Sequence, residues 1–345
     1  MNIGAARRGS SCAHNASVET VECVQNACSV TLHEDCDAPP TAGAMIRRFA
    51  AVVATVLYVT GAHAADKCVA TLSGSSRFDQ ASTTPQSLKD ADGTVARFAY
   101  KQADRLSGDA TTVASARLDS SEPGGNVLAL SIDDTKPKKQ DSTAAYKVAL
   151  TMPVRQVDRD IQEHAFDDGV LKLTSSFSMK IDGAVSSFKN GAPVIFHQFW
   201  QGSAFHPALT LAIVSDRDVP EGDKGAAEAS AHFEVRIAND DHSPTGNSKT
   251  PLLRYNLGPA QVDRWIRWEV RLALDQRGRG AVEVFKDGIE VWRAAAVQVG
   301  FDRTNPRYGS QPPNRTISSV DLLIYRPNWA GKQSIRFKRF VLCAS

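Results

Sequence analysis

The sequence predicts an all-β protein built as a two-sheet antiparallel β-sandwich. Short apolar or alternating segments recur along the chain and are separated by stretches rich in turn-forming residues. Helical periodicity of useful length is nearly absent, and only the region 84–105 is ambiguous between helix and strand. One pair of segments is joined by Lys286-Asp-Gly288, and Asp-Gly supplies the positive φ angles that a tight hairpin needs. These three observations together indicate a sandwich of many short strands.

The predicted strands share an apolar run or a period of two. In chain order they are 126–132, 145–152, 170–181, 194–200, 209–214, 232–239, 252–257, 265–274, 281–285, 289–294, 318–326 and 334–343. The segment 265–274 shows the pattern most clearly, because its even-numbered residues are apolar while Arg267, Glu269 and Arg271 occupy odd positions. One face of this strand is therefore expected in the core and the other in a groove or in solvent.

The N-terminal part of the chain is expected to lie outside the folded domain. Residues 45–64 have a basic start, an apolar middle and an Ala62-His-Ala64 end, as in a secretory signal peptide. Residues 1–44 would then be an upstream extension from a misplaced start codon; the alternatives are a genuine long leader or a retained membrane anchor. We expect 65–345 to form a single domain with no stable membrane insertion after signal cleavage.

Two cysteines remain in the segment 65–345, Cys68 near its beginning and Cys343 near its end. The signal peptide predicts a secreted or periplasmic protein, and in that oxidising compartment this pair of cysteines predicts a disulfide. Closing so long a loop stabilises by roughly 4–5 kcal/mol in the chain-entropy model. The pairing also predicts that the first and last strands are neighbours.

Composition and motifs exclude several function classes. The chain has 40 basic and 38 acidic side chains, and a net charge of +2 is too small to favour nucleic acid as a partner. An acidic ligand would need a local cluster of cations. The sequence has no phosphate-binding glycine loop and no H-E-x-x-H, and 65–345 lacks the paired carboxylates of a glycoside hydrolase strand. We expect a monomer.

The segment 193–214 is the strongest functional signal. An apolar strand carries several hydrogen-bonding side chains before a second apolar strand begins, namely His197, Gln198, Trp200, Gln201 and His206. Buried polar groups need partners, and rings beside amide and imidazole groups are typical of a sugar-binding groove. The alternative is a strand whose polar residues face solvent.

Three motifs resemble those of the heparin-lyase-I-like polysaccharide lyases and, more loosely, of the alginate and glucuronan lyases that share a concanavalin-like jelly roll. The first is the strand 195–202 followed by His206-Pro207, and the second runs from 265–268 through the hairpin 278–288 to Val291-Trp292. The third is the strand 320–326, which is similar to a Lys-x-Gly-x-Tyr-Arg strand. This chain has Asp321 and Leu323 at the lysine and glycine positions, and Trp200 where the first motif has histidine.

The resemblance implies a lyase that cleaves an acidic, uronic-acid-containing polysaccharide or oligosaccharide by β-elimination. Its chemistry needs a group that neutralises the substrate carboxylate, a base for the C5 proton and an acid for the leaving oxygen. By this resemblance, Tyr325 would be the acid and also a candidate base. His197 would act with Gln201, either as the base or as the group that binds the substrate carboxylate. The implied substrate-binding residues are Gln198, Trp200, His206, Arg159, Arg267, Arg271 and Arg326.

Each of these residues has a structural alternative. His197 could be a satisfied histidine at the edge of the sandwich, Tyr325 could bond a backbone carbonyl, and the two arginines of 265–274 could be a solvated face. We expect no metal; Asn239-Asp-Asp241 could ligate calcium, with a solvated turn as the alternative. The rival function is a non-catalytic, lectin-like sandwich. Convergence of His197, Tyr325 and an amide in one cleft would favour the lyase over this rival.

Overall fold

The computed structural model consists of two compact units, Met1–Val59 and Thr60–Ser345. It describes residues 21–24, 27–30, 67–72, 76–78, 85–89, 95–101, 114–120, 126–134, 145–157, 171–183, 193–202, 207–215, 231–239, 253–275, 278–301, 317–327 and 331–344. In the first unit, the described residues form an antiparallel hairpin of β1 (Val21–Val24) and β2 (Ala27–Val30). The predicted signal peptide at 45–64 lies outside the described residues.

The second unit is built from strands. They are β3 (Lys67–Thr71), β4 (Arg77–Phe78), β5 (Ser87–Lys89), β6 (Val95–Lys101), β7 (Ala114–Asp119), β8 (Val127–Asp134), β9 (Ala145–Pro153), β10 (Leu171–Asp182), β11 (Val194–Trp200), β12 (Pro207–Ser215), β13 (Ala231–Ile237), β14 (Leu253–Pro259), β15 (Ile266–Leu274), β16 (Gly280–Lys286), β17 (Ile289–Val297), β18 (Ser319–Pro327) and β19 (Gly331–Ala344). Every predicted strand overlaps one of them. A 3₁₀ turn, Val154–Gln156, follows β9.

These strands form two antiparallel sheets that pack as a sandwich, which confirms the predicted fold class. One sheet has nine strands in the order β14-β13-β12-β11-β18-β9-β6-β5-β4. The other has eight, in the order β17-β16-β15-β10-β19-β8-β7, with β3 also paired to β19. The chain passes repeatedly between the sheets, for example from β9 to β10 to β11, so that strands distant in sequence are neighbours. This is jelly-roll connectivity.

The core lies between the two sheets and is rich in aromatic rings. Trp268 of the eight-stranded sheet is fully buried, and its ring centroid lies 5.0 Å from that of Phe233 and 5.8 Å from that of Phe196, both on the nine-stranded sheet. Phe177 of β10 contacts Phe196 from the other side at 6.4 Å. The apolar face predicted for 265–274 is therefore the core face.

Two local features set the geometry of the strands. Asp287 and Gly288 have φ of 52° and 83° and connect β16 to β17, which confirms the tight hairpin. The pairing of β11 shifts register between Ile195 and His197, against both β12 and β18. Such a bulge interrupts the simple alternation of faces along a strand.

A disulfide joins Cys68 of β3 to Cys343 of β19, as predicted. The two residues are directly opposite each other where β3 pairs with the end of β19, so the first strand of this unit is a neighbour of the last.

The ambiguous region 84–105 contains β5 and β6 and is not helical where the structure describes it. Within the described residues, no helix combines the length and apolarity required to cross a bilayer.

Candidate functional site: the outer face of the nine-stranded sheet

The face of the nine-stranded sheet that points away from the core carries a row of polar side chains. Strand pairing places Gln198 of β11 between Asp321 of β18 and Thr210 of β12, and places Thr210 opposite Arg236 of β13. All four side chains are nearly inaccessible to solvent. They alternate along their strands with residues of the core, such as Leu209. We call these four residues the polar row.

Asp321 is the centre of the first cluster on this face. Its Oδ2 accepts a hydrogen bond of 2.5 Å from Nε2 of Gln198 and lies 3.6 Å from Nζ of Lys147. The same Nζ lies 5.6 Å from the ring centroid of Trp200, within the range of a cation–π interaction. Lys147 of β9 thus places an ammonium beside Asp321, and a tryptophan ring lies next to it.

A second cluster occupies β13. The guanidinium of Arg236 forms an ion pair with Glu234, and Nε2 of His232 lies 3.8 Å from Oε2 of Glu234. Burial lowers the pKa of Arg236, and the charge of Glu234 opposes this shift. A buried guanidinium in this position can attract an anion strongly, because little water competes for it.

Three atoms of the polar row lack hydrogen-bond partners among the described residues. They are Nη2 of Arg236, Oγ1 of Thr210 and Oδ1 of Asp321, and all three are buried. The set offers a charged donor, a hydroxyl and a charged acceptor on three strands of one sheet. Leaving such groups unsatisfied costs free energy, so the row is suited to a ligand that carries both hydroxyl and acidic groups.

The structure places His197 away from this face, which corrects the expectation of a groove histidine. Its imidazole is fully buried, with ring centroids 4.7 Å from Phe177 and 5.1 Å from Phe199. Nδ1 donates a 2.9 Å hydrogen bond to the backbone oxygen of Asp321. Burial lowers the pKa of His197 to about 3, so the ring is neutral at physiological pH. It is a core residue that helps to join β11 to β18.

Gln201 also differs from its expected role as a partner of substrate. Its Oε1 accepts from the backbone N–H of Phe301 at 2.8 Å, and its Nε2 donates to the Phe301 oxygen at 3.1 Å. The amide is fully buried against Gly300, whose φ is 82°. Gln201 therefore fixes the segment after β17 to the end of β11.

The two predicted residues of β18 have different environments. Tyr325 is half-buried on the outer face, on the same side of the strand as Asp321, and pairs with Ile195 and Lys147 of the neighbouring strands. Arg326 is almost completely buried and is not available to substrate. Its Nη2 donates a 2.8 Å hydrogen bond to the Gly331 oxygen, and its guanidinium lies 5.5 Å from the ring centroid of Tyr146.

The remaining predicted residues are not brought to this face. Arg267 and Arg271 belong to β15 and lie on the outer face of the other sheet. There, Arg271 is engaged with Glu269 at 2.6 Å and Glu283 at 3.4 Å. The placement of His206, Arg159 and the acidic pair that follows Asn239 falls outside the described residues. Across the part of the chain that the structure describes, no three His, Cys, Asp or Glu side chains group as metal ligands.

Several residues of the face were missed by sequence reasoning, namely Lys147, Thr210, Glu234 and Arg236. A signal for two of them is present in β13, where Phe233, Val235 and Ile237 are core residues and the positions between them are charged. This alternation predicts a charged outer face. Lys147 and Thr210 have no comparable signal, because their roles depend on which strands become neighbours.

No protein-family model matches this sequence, and no curated protein matches it. Among solved structures, the chain is similar to an endo-β-1,4-glucuronan lyase from the fungus Trichoderma reesei, with 10% identity over 70% of this chain and 93% of that one and a TM-score of 0.42. It is also similar to an alginate lyase, with 12% identity over 63% and 80% and a TM-score of 0.36. A carbohydrate esterase from the Shiga toxin-encoding bacteriophage phi24B gives 11% identity over 74% and 95% and a TM-score of 0.37.

Proposed function

We propose that this protein is a secreted or periplasmic polysaccharide lyase that binds a uronic-acid-containing polysaccharide along the outer face of its nine-stranded sheet. The observation that carries the proposal is the polar row, with its buried, unpartnered atoms on Arg236, Thr210 and Asp321. A polymer of acidic sugars offers a carboxylate and several hydroxyls in each unit. It can therefore form hydrogen bonds with all three atoms, whereas an uncharged apolar ligand cannot.

The charges and rings of the face favour an acidic sugar. Arg236 and Lys147 provide two cations that are largely shielded from solvent. Each already pairs with one carboxylate, Glu234 or Asp321, so a uronate would bind as a second anionic partner. An arginine can bind a carboxylate through two parallel hydrogen bonds, which gives orientation as well as attraction. Trp200 supplies an aromatic surface beside Lys147, suited to the apolar face of a sugar ring.

β-Elimination can be assigned to this face with Tyr325 as the proton-transfer group. Lys147, which pairs in register with Tyr325, is the group that would neutralise the uronate carboxylate, which makes the neighbouring C5 proton acidic. The deprotonated phenol of Tyr325 accepts the C5 proton, the electron pair forms the C4–C5 double bond and the bond from C4 to the leaving oxygen breaks. The phenol then donates the same proton to the leaving oxygen. We assign both steps to Tyr325 because His197 faces the core.

The second candidate is a non-catalytic protein that binds acidic carbohydrate on the same face. The burial of His197 favours it, because a histidine and Tyr325 were expected to converge in one cleft and do not. Binding depends on the polar row in both candidates. Only the lyase depends on the hydroxyl of Tyr325.

The experiment follows the ultraviolet absorbance of the unsaturated uronate product while the full chain is incubated with polyglucuronate, alginate, polygalacturonate or heparan sulfate. Tyr325→Phe is expected to lower the rate by about 10²- to 10⁴-fold. Tyr255→Phe is the matched control, since Tyr255 pairs in register with the core residue Val235 and its ring stacks on Trp292 at 4.6 Å, on the opposite face of the sheet from the polar row. Binding of each polymer is measured in parallel.

Three outcomes separate the candidates. Product formation that depends on Tyr325 and not on Tyr255 supports the lyase. Binding without product, weakened at least tenfold by Arg236→Lys and unaffected by Arg155→Lys, supports the non-catalytic protein; Arg155 is exposed in the 3₁₀ turn. Absence of both binding and product for every polymer would overturn the proposal.

A further inference from the structure

A second cleft lies on the opposite side of the sandwich, on the outer face of the eight-stranded sheet. It has a volume of about 840 Å³ and is lined by residues of β7, β8, β10 and β19, together with Gly183 and Asp263. This volume falls in the range of roughly 300–1,000 Å³ that is typical of ligand pockets. None of its lining residues belongs to the polar row.

Strand pairing organises the floor of this cleft into two parallel rows. Ser115, Ser131 and Ser334 pair in register across β7, β8 and β19 and form a serine row. The Oγ atoms of Ser115 and Ser131 lie 2.7 Å apart, within hydrogen-bond distance. Three hydroxyls on one line are well placed to exchange hydrogen bonds with the hydroxyls of a sugar.

The next row in register is basic. Arg117, Arg336 and Lys180 lie on β7, β19 and β10, and Ala129 of β8 lies between the two arginines. The small alanine side chain leaves space between two long cationic ones. The result is a recess with a hydroxyl-bearing edge and a positively charged edge.

The charges of the cleft do not cancel. Asp182 is already engaged, because its Oδ2 accepts hydrogen bonds from Oγ of Ser334 at 2.9 Å and from Nε of Arg336 at 2.8 Å. Within the described ranges Arg117 makes no ion pair, and Lys332 lies 4.0 Å from Asp133, at the limit of one. The other acidic lining residue, Asp263, accepts a 3.3 Å hydrogen bond at Oδ1 from the backbone N–H of Gly183. The lining still has four basic side chains against two acidic ones, and Arg117 and Lys332 are the cations we expect to attract an anion.

The positive region extends along the sheet through two lysines that lie over the ring of Trp265. Lys338 and Lys180 place their Nζ atoms 4.0 Å and 5.4 Å from its ring centroid. Cation–π contacts of this kind hold long lysine side chains near one position, which lowers the entropy lost when an anion binds. Arg267 pairs in register with Ser178, next to Lys338, and continues the cationic surface.

We propose that this cleft is a second carbohydrate site, which binds an anionic oligosaccharide through its carboxylate or sulfate groups. Arg117 and Lys332 would hold the acidic groups, and the serine row would form hydrogen bonds with the sugar hydroxyls. Because the two sites lie on opposite faces of the sandwich, one protein molecule can bind two polymer chains at once. The proposal rests on residues of the eight-stranded sheet alone and does not depend on the proposed function.

The test uses isothermal titration calorimetry of the full chain, carrying Tyr325→Phe so that the probe is not cleaved. The probes are oligoglucuronate and a heparin octasaccharide, which distinguish carboxylate from sulfate. We expect two oligosaccharides to bind per chain, and one after the double substitution Arg117→Glu/Lys332→Glu. The matched control, Arg155→Glu/Lys172→Glu, makes the same change in net charge at exposed positions outside the cleft and should leave both sites intact.

The outcomes distinguish this proposal from the proposed function. Loss of one bound oligosaccharide in the Arg117/Lys332 variant but not in the control supports the second site. If the native protein binds only one oligosaccharide and loses it only in the Arg117/Lys332 variant, the second site stands and the proposed function fails. If the Arg117/Lys332 variant binds like the control, or neither probe binds, the second site is overturned.

Discussion

His197 and Gln198 are consecutive residues of β11 that serve opposite faces of one sheet. The imidazole packs in the core, 4.7 Å from the ring centroid of Phe177, whereas the amide donates a hydrogen bond to Asp321 on the outer face. The cluster of polar residues in this strand thus divides into a part that supports the core and a part that is available to a ligand. Each part can be tested separately.

His197→Phe should reduce the dependence of stability on pH. The pKa of His197 is about 3 in the folded protein against 6.5 in the unfolded chain, so below pH 6.5 the unfolded state binds a proton that the folded state does not. Stability is therefore lost as pH falls from 6.5 towards 3, by about 1.4 kcal/mol per pH unit. The phenylalanine variant lacks this contribution. Urea unfolding at pH 7, 6, 5 and 4 measures the difference.

The control for this series is His232→Phe, which makes the same chemical change on the outer face and leaves His197 in place. At pH 7 we expect His197→Phe to alter the free energy of unfolding by no more than about 1 kcal/mol, because one hydrogen bond is exchanged for an apolar contact. Parallel pH profiles for the wild type and His197→Phe would contradict the burial of a neutral imidazole.

Lys147 and Asp321 should show strong thermodynamic coupling. Lys147→Met removes the ammonium 3.6 Å from a fully buried carboxylate oxygen, and we expect it to lower the free energy of unfolding by about 1–3 kcal/mol. Asp321→Asn in the same background removes the uncompensated charge and should recover most of this loss. A double-mutant cycle is expected to give a coupling of at least about 1 kcal/mol. Additive effects would show that the pair does not interact.

Gly300 should tolerate alanine less well than Gly288. The two glycines have nearly equal φ, 82° and 83°, so an alanine meets the same backbone strain of about 1 kcal/mol at each. At Gly300 the added Cβ would lie 2.6 Å from Oε1 of Gln201, whereas nothing lies within 4 Å at Gly288. Thermal unfolding should show Gly300→Ala to be less stable than Gly288→Ala by at least about 1 kcal/mol. Equal melting temperatures would contradict the packing of Gln201.

The Cys68–Cys343 disulfide should make a large contribution to stability. Cys68→Ser/Cys343→Ser is expected to lower the free energy of unfolding by about 2–5 kcal/mol, because 275 residues separate the two cysteines and the open chain gains conformational freedom. Reductant should destabilise the wild type by a similar amount and leave the serine variant unchanged. If unfolding of the wild type does not respond to reductant, the bond does not stabilise the domain.

Strand positions could be predicted because a two-residue period is a local property. The segment 265–274 has five apolar residues on one face, and all of them are core residues of β15. β3, β6 and β7 were not predicted although they have five, seven and six residues. β4 and β5 were missed because they are too short to show a period. β4 has two residues and β5 has three.

The site could be predicted only in part, because it depends on register and on neighbours distant in sequence. The bulge between Ile195 and His197 places the imidazole in the core, and no local pattern in 194–200 indicates a bulge. The ammonium beside Asp321 comes from Lys147, which is close only because β9 and β18 pair. The face of Tyr325 was predictable, since Val320, Leu322 and Ile324 alternate regularly along β18.

The disulfide between β3 and β19 also has a mechanical consequence. Force applied to the chain at residues outside the loop closed by Cys68 and Cys343 passes through the covalent bond between them. The strands between these residues lie within the closed loop and carry none of that tension. Under such a load the sandwich would keep its register, and with it both outer faces, for as long as the bond remains oxidised.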